Sequence, residues 1–446
     1  MKEQLCKQDI TALFENYEKD SKLKNSQRTV SRNGILESAI DDVYLKNDYS
    51  SFSIDLDSGD ITNQKRSGRC WMFGGLNVLR AIAIRKLNVK NIEFSQAYLQ
   101  FFDKLEKANF FLEKVIELID EPYDSRLNVF ALDSMIQDGG HFVMFSNLVK
   151  KYGIVPIEFM GETKVSSDTG ELNKILSSLL AKDMMILRNR KAEGVRLPSL
   201  RNLKEVMMKD IFKIIAVSLG LPVTEFTYQY KDKKDKFVRM EKMTPVEFFN
   251  KVIGTELDDY IPLGDAKLPM MKDNTSYTSE YVNNVIGGKP VIFFNVPNSV
   301  VKNAVVESLK AKECVWFGSD VGAQSLRKEG KLIDGIYKLD DLFDVDFSMS
   351  KYDRLAYRAS FCTHAMTFTG VNLDEKGNPT RFKVENSWGK ENGKDGYFVM
   401  SDKWFDEYVY QVFVNKKFVP EEYLKAFEAS KPVEISPFDT LFMKMD

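Results

Sequence analysis

The stretch Asn63-Gln-Lys-Arg-Ser-Gly-Arg-Cys-Trp-Met-Phe73 sets a cysteine, Cys70, between a polar loop and an apolar run. Residues 70–86, CWMFGGLNVLRAIAIRK, put Met72, Leu76, Leu79 and Ala83 at steps of three and four, so the spacing predicts a helix that begins at the cysteine. Gly74 and Gly75 within it each cost about 1 kcal/mol of helix propensity relative to alanine. A helix that tolerates both is expected to pack closely against another element. A thiol becomes a useful nucleophile when its thiolate is stabilised, and a helix N-terminus is one of the two common devices. Taken alone, a cysteine ahead of an apolar helix is more often a small buried residue; the rest of the chain decides between the two.

The second device is an adjacent imidazolium, and the chain has two histidines, His141 in DGGHFVMF and His364 in CTHAMTFTG. His364 falls in an expected strand among small and apolar neighbours. A base needs an orienting partner, and Asn386 in KVENSWGK stands at the end of the next expected strand, where a strand-turn-strand path brings it beside His364. Trp388 would then keep water from their hydrogen bond. An oxyanion needs donors, and Gln64, six residues before Cys70, offers a side-chain amide next to the Cys70 backbone N–H. His141, beside Gly139 and Gly140, reads equally as a residue lining a cleft or as a surface histidine. Cys6, Cys314 and Cys362 lack a helix start and an oxyanion donor and read as structural thiols.

Outward from these residues the texture changes along the chain. Residues 94–118 read as a helix with Ser95 as its N-cap, and 172–218 and 245–258 also read as helical, with KDKKDK at 231–236 as a solvated loop between them. From about residue 289, the runs PVIFFNV, GIYKL, AMTFTGVNL, RFKVENSW, GYFVMS and YQVFVN are short, apolar or alternating, and bounded by turn residues, which is the pattern of a sheet. The expectation is an α+β protein, and 446 residues exceed what one compact core holds. The 63 basic and 65 acidic residues give a formal charge of -2, which disfavours a general nucleic-acid binder. The N-terminus lacks the apolar core of a secretion signal and no run approaches a membrane span, so the chain reads as soluble and cytoplasmic. Its four cysteines lie far apart without a CxxC pair, which suggests neither a disulfide framework nor a zinc site. Asp258-Asp259 and the cluster Asp340, Asp341, Asp344 and Asp346 have no nearby histidine or calcium-loop glycine pattern and read as caps or loops, so no metal is expected.

The segments Gln64 to Phe73, Thr363 to Gly370 and Val384 to Gly389 resemble the papain-like cysteine peptidases, and more closely their intracellular branch of aminopeptidase C and bleomycin hydrolase. The papain signature around the nucleophile is C-G-[SA]-C-[WY]; here it reads Ser67-Gly68-Arg69-Cys70-Trp71, with serine where the secreted enzymes have a disulfide cysteine. In the secreted enzymes the histidine follows the cysteine by about 130–150 positions, and the interval from 70 to 364 is roughly twice that. The excess matches the helical middle, again as in the intracellular branch. Further similar stretches are EFSQAYLQFFDKLEKANFFLE, MIQDGG, KKYGIVP and VWFGSDVG, so the resemblance covers nearly the whole chain.

The resemblance implies a two-lobed papain-like fold: an N-terminal segment at 1–62, a helical lobe with the nucleophile at 63–160, a mainly helical insertion at 161–288, a β-rich, barrel-like lobe with histidine and asparagine at 289–419, and a C-terminal arm at 420–446. Cys70 would be the nucleophile, His364 the general base and acid, Asn386 the orienter and Gln64 the oxyanion donor. Gly139 and Gly140 would hydrogen-bond the substrate backbone, and Trp388 would border it. The implied activity is a cysteine aminopeptidase on peptides, in a homohexamer, with no metal or cofactor. In this branch the terminal carboxylate of the arm, here Asp446, pairs with the substrate ammonium. The usual ending holds W-D-P-M-G and small residues, whereas this chain ends Ser436-Pro-Phe-Asp-Thr-Leu-Phe-Met-Lys-Met-Asp446. An arm that failed to fill the cleft would make the enzyme an endopeptidase. Other departures are His141-Phe142 after the glycine pair, Ser319 in VWFGSDVG and Gly74-Gly75 after Phe73. A non-catalytic scaffold binding nucleic acid is the alternative of a different class; all four catalytic roles being filled speaks against it.

Overall fold

The computed structural model describes residues 4–46 and 50–442. Its centre is one helix lying across a twelve-stranded sheet. The helix runs Cys70–Leu87 and is buried on nearly all sides, not along a single face. The two glycines explain how: a Cβ on Gly74 would sit 3.0 Å from Trp316, and one on Gly75 would sit 2.6 Å from the Phe145 ring. Sheet and helical lobe therefore close on opposite flanks of the same turn, as the glycine pair implies.

The strands nearest that helix are Tyr260–Gly264, Val409–Asn415, Val315–Ser319, His364–Leu373, Pro379–Glu385 and Tyr397–Ser401, side by side in this order and antiparallel throughout. Val315–Ser319 is buried at every position and His364–Leu373 along its first eight, because each is covered on both faces. Side chains alternate between faces along a strand. Trp316 and Ala365 thus join the core around the Cys70 helix, while Phe317, Met366 and Phe368 join a second core under the helix Asn298–Lys310. The register pairs His364 with Ser319 and Thr367 with Glu385. Asn386, next after Glu385, consequently emerges at the His364 end of the sheet.

Several elements match their sequence expectation. The helix expected over 94–118 runs Gln96–Glu117, with Ser95 Oγ accepting from the Tyr98 N–H at 3.0 Å. Residues 172–218 are helical, but as two antiparallel helices, Gly170–Ala192 and Leu197–Leu219, broken at Gly194, whose φ of +86° suits glycine. Other segments differ. KDKKDK is the turn of a hairpin, Phe226–Lys231 with Phe237–Met243, and not a loop between helices. The helix expected over 245–258 stops at Val252, and Tyr260–Gly264 and Thr275–Thr278 after it are strands of the main sheet. GIYKL is no strand: Gly335 turns at φ +80°, and Tyr337 makes one isolated bridge to Ile40. Asn298–Lys310, within the β-textured region, is a helix whose valines resemble strand sequence but whose buried Val300, Val301, Ala304, Val305 and Leu309 recur at helical spacing.

At the ends, the helices Lys7–Lys19 and Ser21–Asn33 contain no buried residue. The C-terminal arm adds Val433–Glu434 in parallel to Thr275–Thr278 and then buries the short turn Thr440–Phe442. No helix of the described residues is long and apolar enough to cross a membrane.

Candidate active site

Cys70 is the first residue of its helix and is fully buried, so its thiol stands at the positive end of the helix dipole. None of the four cysteines is disulfide-bonded among the described residues. The helix is tied to the sheet just past the cysteine: Trp316 Nε1 donates to the Trp71 carbonyl at 3.1 Å, and Thr367 Oγ1 donates to the Gly74 carbonyl at 3.2 Å. Thr367 is three residues from His364, so these two bonds fix the first helical turn relative to that imidazole.

His364 and Asn386 meet as expected, with Nε2 and Oδ1 2.9 Å apart and both residues buried. Asn386 Oδ1 also accepts from the Ser387 N–H at 2.8 Å, which fixes its oxygen toward the ring. Trp388 packs on the imidazole with ring centres 4.7 Å apart and planes tilted by 34°. Burial pushes the His364 pKa down to about 4; the hydrogen bond that Asn386 Oδ1 accepts from the ring opposes this and the charge of Arg327 adds to it. The ring is therefore built to be neutral unless an anion stands next to it.

Gln64 joins the same cluster from the loop before Cys70. Its N–H donates to the Ser387 carbonyl at 2.8 Å, and Asn63 bridges Trp388, so a short antiparallel pairing binds residues 62–64 to 387–389. The Ser387 hydroxyl donates to Gln64 Oε1 at 2.6 Å, and Gln64 Nε2 donates to the Ser67 carbonyl at 2.7 Å. With the oxygen engaged by a donor, the amide must present N–H, which leaves one proton beyond that given to Ser67. Ser387 was not singled out by the sequence reading; its signal was its place directly after the orienting asparagine.

Two buried ionic groups hold the loop itself. Arg69 makes a fork to Glu162 at 2.9 and 2.8 Å and reaches Gln100 Oε1 at 3.0 Å and Ser67 Oγ at 2.8 Å. Asp138 accepts from the Gly68 N–H at 3.1 Å and from Lys104, Thr169 and Asn173. Although burial disfavours its charged form, those donors keep its carboxyl well below the ordinary carboxylate range. Its carbonyl accepts from Trp71 Nε1 at 2.8 Å, which joins the Gly139-Gly140 loop to the Cys70 helix. Gly140 lies so close to the Trp71 indole that a Cβ would stand 2.6 Å from it. The Gly139 carbonyl already accepts from Lys107 Nζ at 2.8 Å.

His141, beyond this glycine pair, is 2 % exposed, which removes the surface-histidine reading. It lines a narrow cavity, with room for little more than one water, together with Phe293, Cys362, Tyr410, Thr440 and Leu441. The C-terminal arm thus reaches a cavity bounded by the residue after Gly140 and by a cysteine two positions before His364. Burial pushes the Cys362 thiol well up, in keeping with a structural role. Asp446 lies outside the described residues.

A family model described as the Peptidase C1-like family matches residues 4–442. The chain belongs to the Peptidase C1-like family. This Peptidase C1-like chain is 41% identical over 430 residues to aminopeptidase C of Streptococcus thermophilus, covering 96% of each. It is 42% identical over 442 residues to aminopeptidase G of Lactobacillus delbrueckii subsp. lactis, covering 99% of this chain and 100% of the relative. Among solved structures, PepW of Lactobacillus rhamnosis superposes with a TM-score of 0.97 at 40% identity, over 100% of both chains. These similarities run through the Peptidase C1-like fold from end to end, including the segments absent from the sequence expectation.

Proposed function

We propose that this chain is a cysteine aminopeptidase that releases N-terminal residues from peptides. The observation that carries the reading is the continuous hydrogen-bonded path from His364 through Asn386 and Ser387 to Gln64, which sits in the loop leading into the helix that Cys70 begins. In this reading Cys70 gives its proton to His364, and the thiolate so formed attacks the peptide carbonyl carbon. The oxyanion is received by the Cys70 N–H and the remaining Gln64 amide proton. His364 then passes its proton to the departing amine as the C–N bond breaks, leaving a thioester on Cys70. Water, deprotonated by His364, hydrolyses the thioester and restores the thiol. Because Asn386 engages Nε2, Nδ1 is the nitrogen that exchanges the proton. The depressed pKa of His364 means that imidazolium persists only with the Cys70 thiolate beside it, so the two titrate as one pair.

Restriction to the amino terminus is supported by the arm. Phe438 is held by the Phe130 ring at 5.2 Å and by Arg126 at 4.0 Å from its ring centre, and Arg358 donates to its carbonyl at 2.6 Å. Leu441 and Phe442 are then buried, with Leu441 in the cavity beside His141 and Cys362. The bulky Leu441 narrows that space, which supports a barrier on that side of the site. Gly139 and Gly140 would carry the backbone of the acyl residue, Trp388 would wall the other side of His364, and Asp446 would receive the substrate ammonium. We further read the chain as cytoplasmic and as a homohexamer. The exposed Leu13 and Phe14 on an otherwise unburied helix offer association surface, and light scattering would give the assembly mass.

The test compares one fluorogenic peptide with a free amino terminus and the same peptide acetylated, using wild type and Cys70→Ala. Cleavage of the free form alone, lost in the variant, is the expected result. Internal cleavage of the acetylated form would replace the aminopeptidase with an endopeptidase, and cleavage that survives Cys70→Ala would overturn the thiol mechanism.

A further inference from the structure

Arg327 lies over the ring of Trp388, with its guanidinium carbon 4.2 Å from the ring centre, and this is the ring that packs on His364. Its Nε donates to Asn392 Oδ1 at 3.0 Å, and Asn392 Nδ2 donates to the Trp388 carbonyl at 2.7 Å. The guanidinium is thus fixed by a closed set of contacts to the indole, although the residue is exposed. Among the described residues no carboxylate pairs with it; Glu391, on the same turn as Asn392, accepts from Asn63 Nδ2 instead. A fixed cation beside an imidazole that must itself become cationic opposes formation of the thiolate-imidazolium pair, and Arg327 indeed contributes to lowering the His364 pKa. Such a cation is a liability until an anion meets it.

The position identifies where that anion comes from. The cavity holding His141, Cys362 and Leu441 lies on the side of the glycine loop and the arm. Arg327 reaches His364 through Trp388, and His364 is the group that hands its proton to the departing amine in the reading above. We propose that Arg327 is a specificity residue of the leaving side, binding a carboxylate on the first residue released from the scissile bond. Either source of that group fits, an acidic side chain or the free C-terminus of a dipeptide. Guanidinium suits it because its planar fork pairs with carboxylate through two parallel bonds. The proposal rests on the peptidase reading above.

The test uses the full-length protein and its Arg327→Gln and Arg327→Lys variants. The substrates are alanyl-aspartate amide against alanyl-asparagine amide, alanyl-alanine against alanyl-alanine amide, and alanine anilide as a control without a leaving residue. Wild type is expected to show roughly ten-fold higher kcat/KM on the carboxylate member of at least one pair at low ionic strength. The first pair reports the side chain and the second the C-terminus. The ratio should shrink in high salt, because exposed charges are screened. Arg327→Gln should bring the ratio to about one, both members of a pair being compared in the same variant so that any change in basal cleavage, read on the anilide, cancels; Arg327→Lys should keep part of the ratio. A ratio near one in wild type for both pairs, or one that survives Arg327→Gln, overturns the proposal and leaves the peptidase reading intact. Absence of Cys70-dependent cleavage of all five substrates would remove both.

Discussion

Ser387 gives its hydroxyl proton to Gln64 Oε1 and its backbone proton to Asn386 Oδ1, so one residue sets the orientation of two side-chain amides. Removing an oxyanion donor in a protease costs about 100- to 1000-fold in kcat; loosening one costs less. Ser387→Ala is expected to lower kcat roughly ten-fold with KM within about two-fold, and steady-state kinetics on the free peptide would show it. An equal loss through KM would contradict an oxyanion role for Gln64. At His364, burial down to about 4 has two consequences. The acid limb of kcat/KM should lie near pH 4 and not near the 6.5 of a solvated imidazole, as a property of the Cys70-His364 pair. Stability carries the matching sign: between pH 6.5 and 4 the unfolded chain binds a proton that the native ring refuses, so stability is full above 6.5 and falls by about 3 kcal/mol at most toward pH 4. Denaturant titrations of His364→Gln should be flatter across that window than those of the wild type. These residues were legible one by one in the sequence, since Cys70, His364, Asn386 and Gln64 each sit in a recognisable local pattern. Ser387 and Arg327 were not, because a serine or an arginine acquires its role from what stands opposite it.

At the level of elements, the Cys70 helix must touch the sheet on one flank and the helical lobe on the other. Gly75→Ala would press a methyl group against the Phe145 ring, where the available gap is 2.6 Å. Overpacking of this kind costs about 1–3 kcal/mol, and the expected lower Tm is measurable by calorimetry; an unchanged Tm would mean Phe145 moves aside freely. The same helix is also clamped to the strand that ends at Glu385 by the buried pair Arg80–Glu385, and Arg80 further donates to the Ser58 and Asp60 carbonyls. Arg80→Leu leaves Glu385 without its cation and is expected to cost about 3–5 kcal/mol, seen as a shift of the urea midpoint. The glycine pair announced close packing in the sequence, whereas the Arg80–Glu385 pair did not, since its partners are 305 positions apart. The helix Asn298–Lys310 and the hairpin around KDKKDK were misread for a related reason. Valine-rich helices and charged hairpins each carry the local texture of the other class, and burial against a neighbour overrides propensity.

For the molecule as a whole, the arm brings Thr440–Phe442 into a buried position, with Thr440 and Leu441 beside His141 and Cys362. Removing residues 440–446 would empty the cavity beside His141, Cys362 and Tyr410 of Leu441. The truncated protein is expected to cleave the acetylated peptide faster than the full chain does, while Cys70 still reacts with iodoacetamide. An unchanged rate on the acetylated peptide would place the barrier elsewhere. The sequence by itself determined the class of reaction, a cysteine peptidase, because a cysteine at a helix start, a histidine, an asparagine and a glutamine in the positions the proposed mechanism needs stand out through short-range pattern and residue type. It also determined the α+β class, since periodicity is a local property. What only the tertiary structure decided is how these groups are held: the Ser387 link, the Arg69–Glu162 and Asp138 anchors, the stacking of Arg327 on Trp388 and the burial of Leu441 beside His141. Each joins residues far apart in the chain, and such contacts exist only once the core has fixed the distance between them.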